Sequence, residues 1–539
     1  MLAEKFPFER YRAFYLIYGF SAGPQRHVAV GTDISGQINV WLYKIGSCPK
    51  RITPFVERRA IPIAWSRKGW LLFTSDYQGN EEWQLHLYLP EEGWYRDLVY
   101  EEGVVHITGS NPWSADGASI AYLANREEKS RFDLYIRNIE TNHEKFVMKG
   151  FGGYQIVEWH RGSGKLIIED IRIHEDTTLY LLDPSDGQLE ELTPHKGEAF
   201  FHYLAEYGNG FFLITDESRE FKSLAYYDLE KRRYKVVDSP LWDVEHGDVG
   251  KDYLLYSVNE DGYSKLYALD LRSWEKVPVN VLERGVISGI KSFEDEDVFI
   301  IQYTYPKRPD DLFILDLRGE RVEKLTDNYY GGIPEEEFVE PFLIRYKSFD
   351  GREIPTFIYK PKVELEKYPV LIYLHGGPES QVRPWYSGLI QYLLHRGLAI
   401  AKPNFRGSSG YGKSYQKLIK RDWGGGELKD IEYLVKYLLE QDWVDPERLA
   451  VLGGSFGGFL TLSCITRLPE YWRTAVDLFG PTNLVTFVKS VPPYWKRYMK
   501  MWLGDPDDPE DRKRLEERSP IKYVDNVKCP VLVIQGGRD

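Results

Sequence analysis

The 539-residue sequence predicts two domains, a seven-bladed all-β propeller followed by an α/β domain, and three observations carry that expectation. A strand-rich pattern punctuated by turns fills residues 1–326 and recurs at even intervals. From residue 327 onward strands and helices alternate. Within that second part, Ser455 stands between glycines where an apolar strand gives way to a helix.

The first region is rich in Tyr, Trp, Val, Ile and Thr, with turn residues every ~8–12 positions, the mark of short antiparallel strands. Its clearest copy is Asn111-Pro-Trp-Ser-Ala-Asp-Gly-Ala-Ser-Ile-Ala-Tyr-Leu, then Phe132-Asp-Leu-Tyr-Ile. Aligning the copies on Val40, Leu85, Leu134, Leu179, Leu224, Leu266 and Leu312 gives gaps of 45, 49, 45, 45, 42 and 46 residues. Such spacing predicts one four-stranded blade per copy. A tryptophan recurs before the turn at Trp65, Trp113 and Trp159, which a stack of unrelated sandwiches would not explain. Blades one, five and six match the pattern least well. Residues 1–326 are therefore assigned to the propeller, with the extreme N-terminus expected to reach the second domain.

In the second domain, residues 327–539, two antiparallel strands (342–349 and 353–360) precede a strand at 370–374, a helix at 389–395, a strand at 398–403 and a helix at 427–440. The helix at 427–440 carries Leu428, Ile431, Leu434, Val435 and Leu438 on one stripe, as a helix packed on a sheet does. Alternation of this kind gives a mostly parallel sheet whose ligands bind at the carboxyl ends of the strands.

Acidic residues outnumber basic ones by 82 to 69, a net charge of −13, so neither nucleic acid nor an anionic membrane is an expected partner. Three scattered cysteines, Cys48, Cys464 and Cys529, suit a reducing compartment. The N-terminus has no apolar core of signal-peptide length, and no run is long enough to span a bilayer. A soluble, cytoplasmic protein without metal or cofactor is expected.

Gly453-Gly-Ser-Phe-Gly457 fits the nucleophile elbow of an α/β-hydrolase, a strained strand-to-helix turn whose glycines let strand and helix approach. The hydroxyl then needs donors for an oxyanion, an orienting acid and a base. Phe456 N–H follows the nucleophile, and Gly377 N–H lies in His375-Gly-Gly-Pro378 at the end of an apolar strand. For the acid, Asp539 follows the strand at 531–535, whereas the carboxylates of residues 505–511 read as a charged surface loop. The base comes last in chain order in this fold, yet all eleven histidines precede Ser455. The expectation is that the last strand, last helix and catalytic histidine lie on a missing segment or another chain, and that this chain alone is inactive.

A propeller ahead of Gly-Gly-Ser455-Phe-Gly-Gly, His375-Gly-Gly-Pro378 and Asn404-Phe-Arg-Gly-Ser-Ser-Gly-Tyr-Gly412 resembles the prolyl oligopeptidase family of serine peptidases, most of all its acylaminoacyl peptidases (acylpeptide hydrolases). The resemblance covers nearly the whole chain. It implies Ser455 as nucleophile, Asp539 as triad acid, Gly377 and Phe456 as oxyanion donors, and a propeller that admits only short peptides. It also implies an apolar substrate pocket near residues 487–495, for which Phe487, Tyr494 and Trp495 are the candidates beside a plain packing role. A homo-oligomer is expected, with a C-terminal fragment as a possible bearer of the histidine. The leading function is release of N-acylated amino acids from short peptides. Alternatives are a dipeptidyl aminopeptidase, for which Glu81-Glu82 or Glu127-Glu128 would hold a free amino terminus, an esterase, or a non-catalytic scaffold if the native chain stops at Asp539.

Overall fold

The computed structural model describes residues 5–537, apart from the side chain of Tyr154. Seven four-stranded antiparallel sheets follow one another from Ile17 to Lys324, each built from one contiguous segment. Every residue used to align the repeats falls on the third strand of its blade, from Val40 in Asn39–Tyr43 to Leu312 in Arg308–Asp316. Blades one, five and six are four-stranded like the rest.

Blade cohesion comes from apolar faces pressed together around the ring. Ala29 and Val40 of blade 1 meet Leu71 and Phe73 of blade 2, and the same interdigitation joins each following pair. The ring closes without a shared strand. Ile17, Val28 and Val30 of blade 1 pack on Val298, Ile300 and Leu312 of blade 7, and Gln302 Nε2 donates to Ile17 O at 3.2 Å. The recurrent tryptophans pack between blades: Trp113 is buried with its Nε1 donating 3.1 Å to Ala64 O of the preceding blade, Trp65 covers Gly23 of blade 1, and Trp159 lies in the core shared by blades 3 and 4.

The second domain holds one seven-stranded sheet. Its strands are β1 (Phe342–Lys347), β2 (Glu353–Tyr359), β3 (Tyr368–Leu374), β4 (Ala399–Pro403), β5 (Val444–Gly454), β6 (Thr474–Leu478) and β7 (Val531–Ile534), in the spatial order β1-β2-β4-β3-β5-β6-β7. β1 and β2 are antiparallel, and β4 onward run parallel. Helices α1 (Gly388–His395), α2 (Gly426–Leu439) and α3 (Phe456–Arg467) flank it. The apolar stripe of α2 is buried with Ile372, Ala401 and Val451 on one face of the sheet, while α1 packs on the other. The acidic run read as a surface loop in fact starts a helix, because Asp508 accepts from the backbone N–H groups of Glu510 and Asp511 and caps Pro509–Arg518.

The N-terminal turn Phe8–Tyr11 belongs by packing to the second domain: buried Tyr11 bonds His395 and meets Tyr392 edge-on at 5.4 Å. Across the seam, basic side chains of the second domain face acidic ones of the propeller. Arg383 pairs with Glu245 at 2.8 Å, Lys413 with Asp216 at 2.7 Å and Lys417 with Glu198 at 2.9 Å.

Candidate active site

Ser455 is the single residue between β5 and α3, with φ 55° and ψ −121°. A non-glycine residue at positive φ costs on the order of 1–3 kcal/mol and persists only where its surroundings fix it. The surroundings here are backbone. A methyl group on Gly453 would collide with Gly457, one on Gly457 with Leu374 O, and one on Gly458 would lie 2.7 Å from Gly480 Cα. Ser455 N–H donates to Leu478 O at 2.9 Å, which ties the turn to β6. The side chain is exposed, and among the described residues nothing hydrogen-bonds its hydroxyl.

The loop after β3 comes up beside it. A Cβ built on Gly376 would sit 3.6 Å from Ser455 Cβ, and Gly377, at φ +122°, is exposed on the same loop. Phe456 opens α3, where the first N–H groups of a helix have no carbonyl in a preceding turn. Its ring is anchored in the core, edge-on to Trp423 at 4.6 Å. The arrangement therefore offers an exposed hydroxyl between a helix N-terminus and a glycine-rich loop, which suits nucleophilic attack on a carbonyl whose oxygen gains charge.

The motif Asn404 to Gly412 braces that loop from below. Asn404 Oδ1 accepts from Val382 N–H at 2.6 Å, and Ser408 Oγ lies 2.9 Å from His375 Nε2. His375 stacks on Phe405 at 4.2 Å, and its Nδ1 is 2.8 Å from Gly376 O. Burial pushes its pKa down to about 4, so the ring is a neutral strut with both nitrogens occupied. Arg406, itself buried, pairs with the fully buried Asp430 at 2.7 Å and with Asp350 at 3.1 Å.

Asp539 lies outside the described residues. β7 ends at Ile534 beside β6, so the chain leaves it on the Ser455 side of the sheet. None of the eleven histidines hydrogen-bonds Ser455: His375 is a strut, His395 packs on Tyr11, and the remaining nine are in the propeller. The three pocket candidates have different surroundings. Phe487 faces Trp423 at 6.2 Å, Tyr494 packs edge-on to the propeller's Phe132 at 5.3 Å, and Trp495 is 46% exposed.

Four features escaped the sequence reading. Asp477, at the end of β6, accepts from Gly480 N–H at 3.1 Å, is 2% exposed, and is pushed up to about 6 by burial. Trp423 backs Phe456; Lys402 is buried in β4; Glu379 meets Glu175 of the propeller. A carboxylate straight after the last apolar residues of a strand was a usable signal for Asp477. The other three depend on contacts between distant segments.

The profile of the prolyl oligopeptidase family matches residues 384–539, and that of its N-terminal beta-propeller domain matches residues 63–328. The chain belongs to the prolyl oligopeptidase family. It is similar to the Bacillus subtilis peptidase YuxL, 26% identical over 93% of this chain and 84% of that protein. It also resembles dipeptidyl aminopeptidase BIII of Pseudoxanthomonas mexicana, 36% identical over 46% of this chain and 37% of that protein. The acylamino-acid-releasing enzyme of Mus musculus is 28% identical over 46% of this chain, and the match spans 36% of that enzyme. A solved prolyl endopeptidase shares the fold, with a TM-score of 0.85 at 19% identity over 98% of this chain and 83% of that one. As a member of this family the chain is a serine-peptidase-type hydrolase with a propeller. No helix among the described residues is long and apolar enough to cross a membrane.

Proposed function

We propose that this chain forms the core of a peptidase that releases N-acylated amino acids from short peptides through an acyl-enzyme on Ser455. The observation behind the proposal is the exposed Ser455 hydroxyl, held at positive φ between the open N-terminus of α3 and the Gly376-Gly377 loop. In this reading Oγ attacks the scissile carbonyl, and the N–H groups of Gly377 and Phe456 take the developing oxyanion. An imidazole accepts the hydroxyl proton and returns it to the leaving amine, and water then hydrolyses the ester. Asp539 is the proposed orienting carboxylate, and the imidazole is assigned to a histidine other than the eleven in this sequence. The propeller docked over the strand ends supports a preference for short peptides.

A blocked substrate terminus is favoured because one carboxylate of each candidate glutamate pair is already bonded. Glu175 and Glu379 are buried against each other, Glu128 is bound to Arg131 at 2.5 Å, and Glu82 accepts from Gly103 N–H at 3.0 Å. Dipeptidyl aminopeptidase activity is the second reading, because a relative of that name matches 46% of this chain at 36% identity.

The test uses the native full-length protein on acetyl-Ala and Ala-Ala anilides. The proposal expects cleavage of the acetylated substrate and its loss by about 10⁶-fold in Ser455→Ala. Cleavage of the free-amine substrate alone selects the second reading; cleavage of neither ends the peptidase proposal.

A further inference from the structure

Blade 4 reaches over the seam with the turn between its strands Lys165–Ile173 and Asp176–Leu182. His174 and Glu175 form that turn, and both meet Glu379, two residues beyond Gly377. His174 Nδ1 lies 2.6 Å from Glu379 Oε2, and Trp502 Nε1 donates to Glu379 Oε1 at 2.8 Å. Glu175 is 3% exposed and the Glu379 side chain 1%. Neither oxygen of Glu175 finds a donor among the described residues, and the group it faces is the other carboxyl.

Two carboxyls brought together away from water can bond only if one keeps a proton. Glu379 already accepts from two donors, so the proton belongs to Glu175. The electrostatics agree with the geometry: burial and then the Glu379 carboxylate push Glu175 up to about 9. For Glu379 burial acts upward, but bonds from His174, Glu175 and Trp502 outweigh it and hold the group below the usual range.

The other charged groups around the pair leave it this proton. Lys420 draws on Glu175 from the second domain but is itself bound to Glu198. On blade 4, Arg172 pairs with Asp176 at 3.4 Å and Asp170 at 3.8 Å, and Arg497 of the helix Lys496–Trp502 faces Asp170. The Tyr498 hydroxyl, 3.0 Å from His174 Nδ1, is driven upward by burial and by both carboxyls, so it stays neutral where Glu175 titrates.

We propose that Glu175 and Glu379 form a one-proton latch that keeps the propeller and the hydrolase domain closed, and whose deprotonation drives them apart. Hydroxide takes the proton from Glu175, forming water, and two carboxylates then face each other across the seam. Two of the three groups bound to Glu379 come from the propeller, so parting also removes two anchors from the loop that carries Gly376 and Gly377. The latch does not depend on the reading of Ser455.

Two measurements on the full chain decide it. Infrared spectra of the folded protein at pH 7 should show a buried carboxylic acid band that titrates near pH 9 and is missing from Glu175→Gln. Small-angle scattering should show the wild type expanding between about pH 8 and 10, while Glu175→Gln, which keeps a donor and cannot ionise, stays compact. An absent acid band, a wild type compact to pH 10 with its circular dichroism intact, or a variant that opens at the same pH would each overturn the latch. Should Glu175→Gln not fold, Glu379→Gln removes the same repulsion and is read by the same criteria.

Discussion

Among the described residues, Lys402 is a cation with no counter-charge. It lies in β4, opposite Phe357 of β2, with 6% of its surface exposed. Its ammonium sits 5.0 Å from the centre of the Tyr373 ring, and among the described residues it makes no hydrogen bond or ion pair. Burial alone brings its pKa from 10.5 down to about 8. The gap of roughly 2.5 units, at 1.36 kcal/mol each, means that folding the charged form costs about 3 kcal/mol. The sign follows from proton counts. Between pH 8 and 10.5 the unfolded chain binds the proton and the folded chain has released it, so stability rises with pH there. Below pH 8 the penalty is present in full.

Lys402→Met keeps the apolar stem and removes the charge. It should stabilise the hydrolase domain by up to about 3 kcal/mol at pH 7, less the ~0.5–2 kcal/mol of attraction to the Tyr373 ring that it forfeits. The assay is denaturant unfolding followed by tryptophan fluorescence at pH 7, 8.5 and 10, with the hydrolase transition fitted separately because two domains need not unfold together. Other groups titrate over this range, so the quantity that matters is variant minus wild type. That difference should be largest at pH 7 and shrink steadily toward pH 10. A variant less stable than wild type at pH 7, or a difference independent of pH, would refute the reasoning, since either result requires a partner for the ammonium.

Two further outcomes follow from the same packing. Arg406→Ala should cost about 3–5 kcal/mol in thermal unfolding, because it strands the fully buried Asp430 without its cation. Gly457→Ala places a methyl group against Leu374 O and 2.9 Å from His375 O, so the loop after β3 must move. Its expected cost is about 1–3 kcal/mol in stability and about 10²-fold in the rate of Ser455 labelling by a fluorophosphonate, since the loop is displaced by a substantial part of an ångström.

What could be read from the sequence is what local spacing encodes. The repeat places Val40 through Leu312 on the third strands because each blade meets the same steric requirement, and period is visible without knowing any contact. The elbow is visible for a similar reason: Gly453, Gly457 and Gly458 are within three residues of Ser455 and their collisions are mutual or with the adjoining strands. Lys402, by contrast, sits in Ala-Lys-Pro, which reads as an ordinary half-exposed strand end; its burial comes from Phe357 and Tyr373 on the neighbouring strands. Glu175 and Glu379 are farther apart still, on different domains, and nothing around either one announces a carboxyl partner. Tyr494 packs on the propeller's Phe132, a contact that depends on how the domains dock and that the sequence does not show.

That docking bears on why Asn404 to Gly412 is so dense in glycine and polar residues. One end of the segment holds the loop after β3, through Asn404 to Val382 and Ser408 to His375. The other end touches the propeller: Gly412 has Glu220 so close that a side chain there would collide, Lys413 N–H donates to Glu220 O at 2.8 Å, and its ammonium reaches Asp216. A segment of nine residues thus joins the blade 5 surface to the candidate oxyanion loop. Glu379 joins blade 4 to the same loop from above. The loop beside Ser455 is thus held both from within its own domain, by Asn404, Ser408 and Trp502, and from two blades of the propeller, so if the latch opens as proposed the loop loses only the propeller's share of its support.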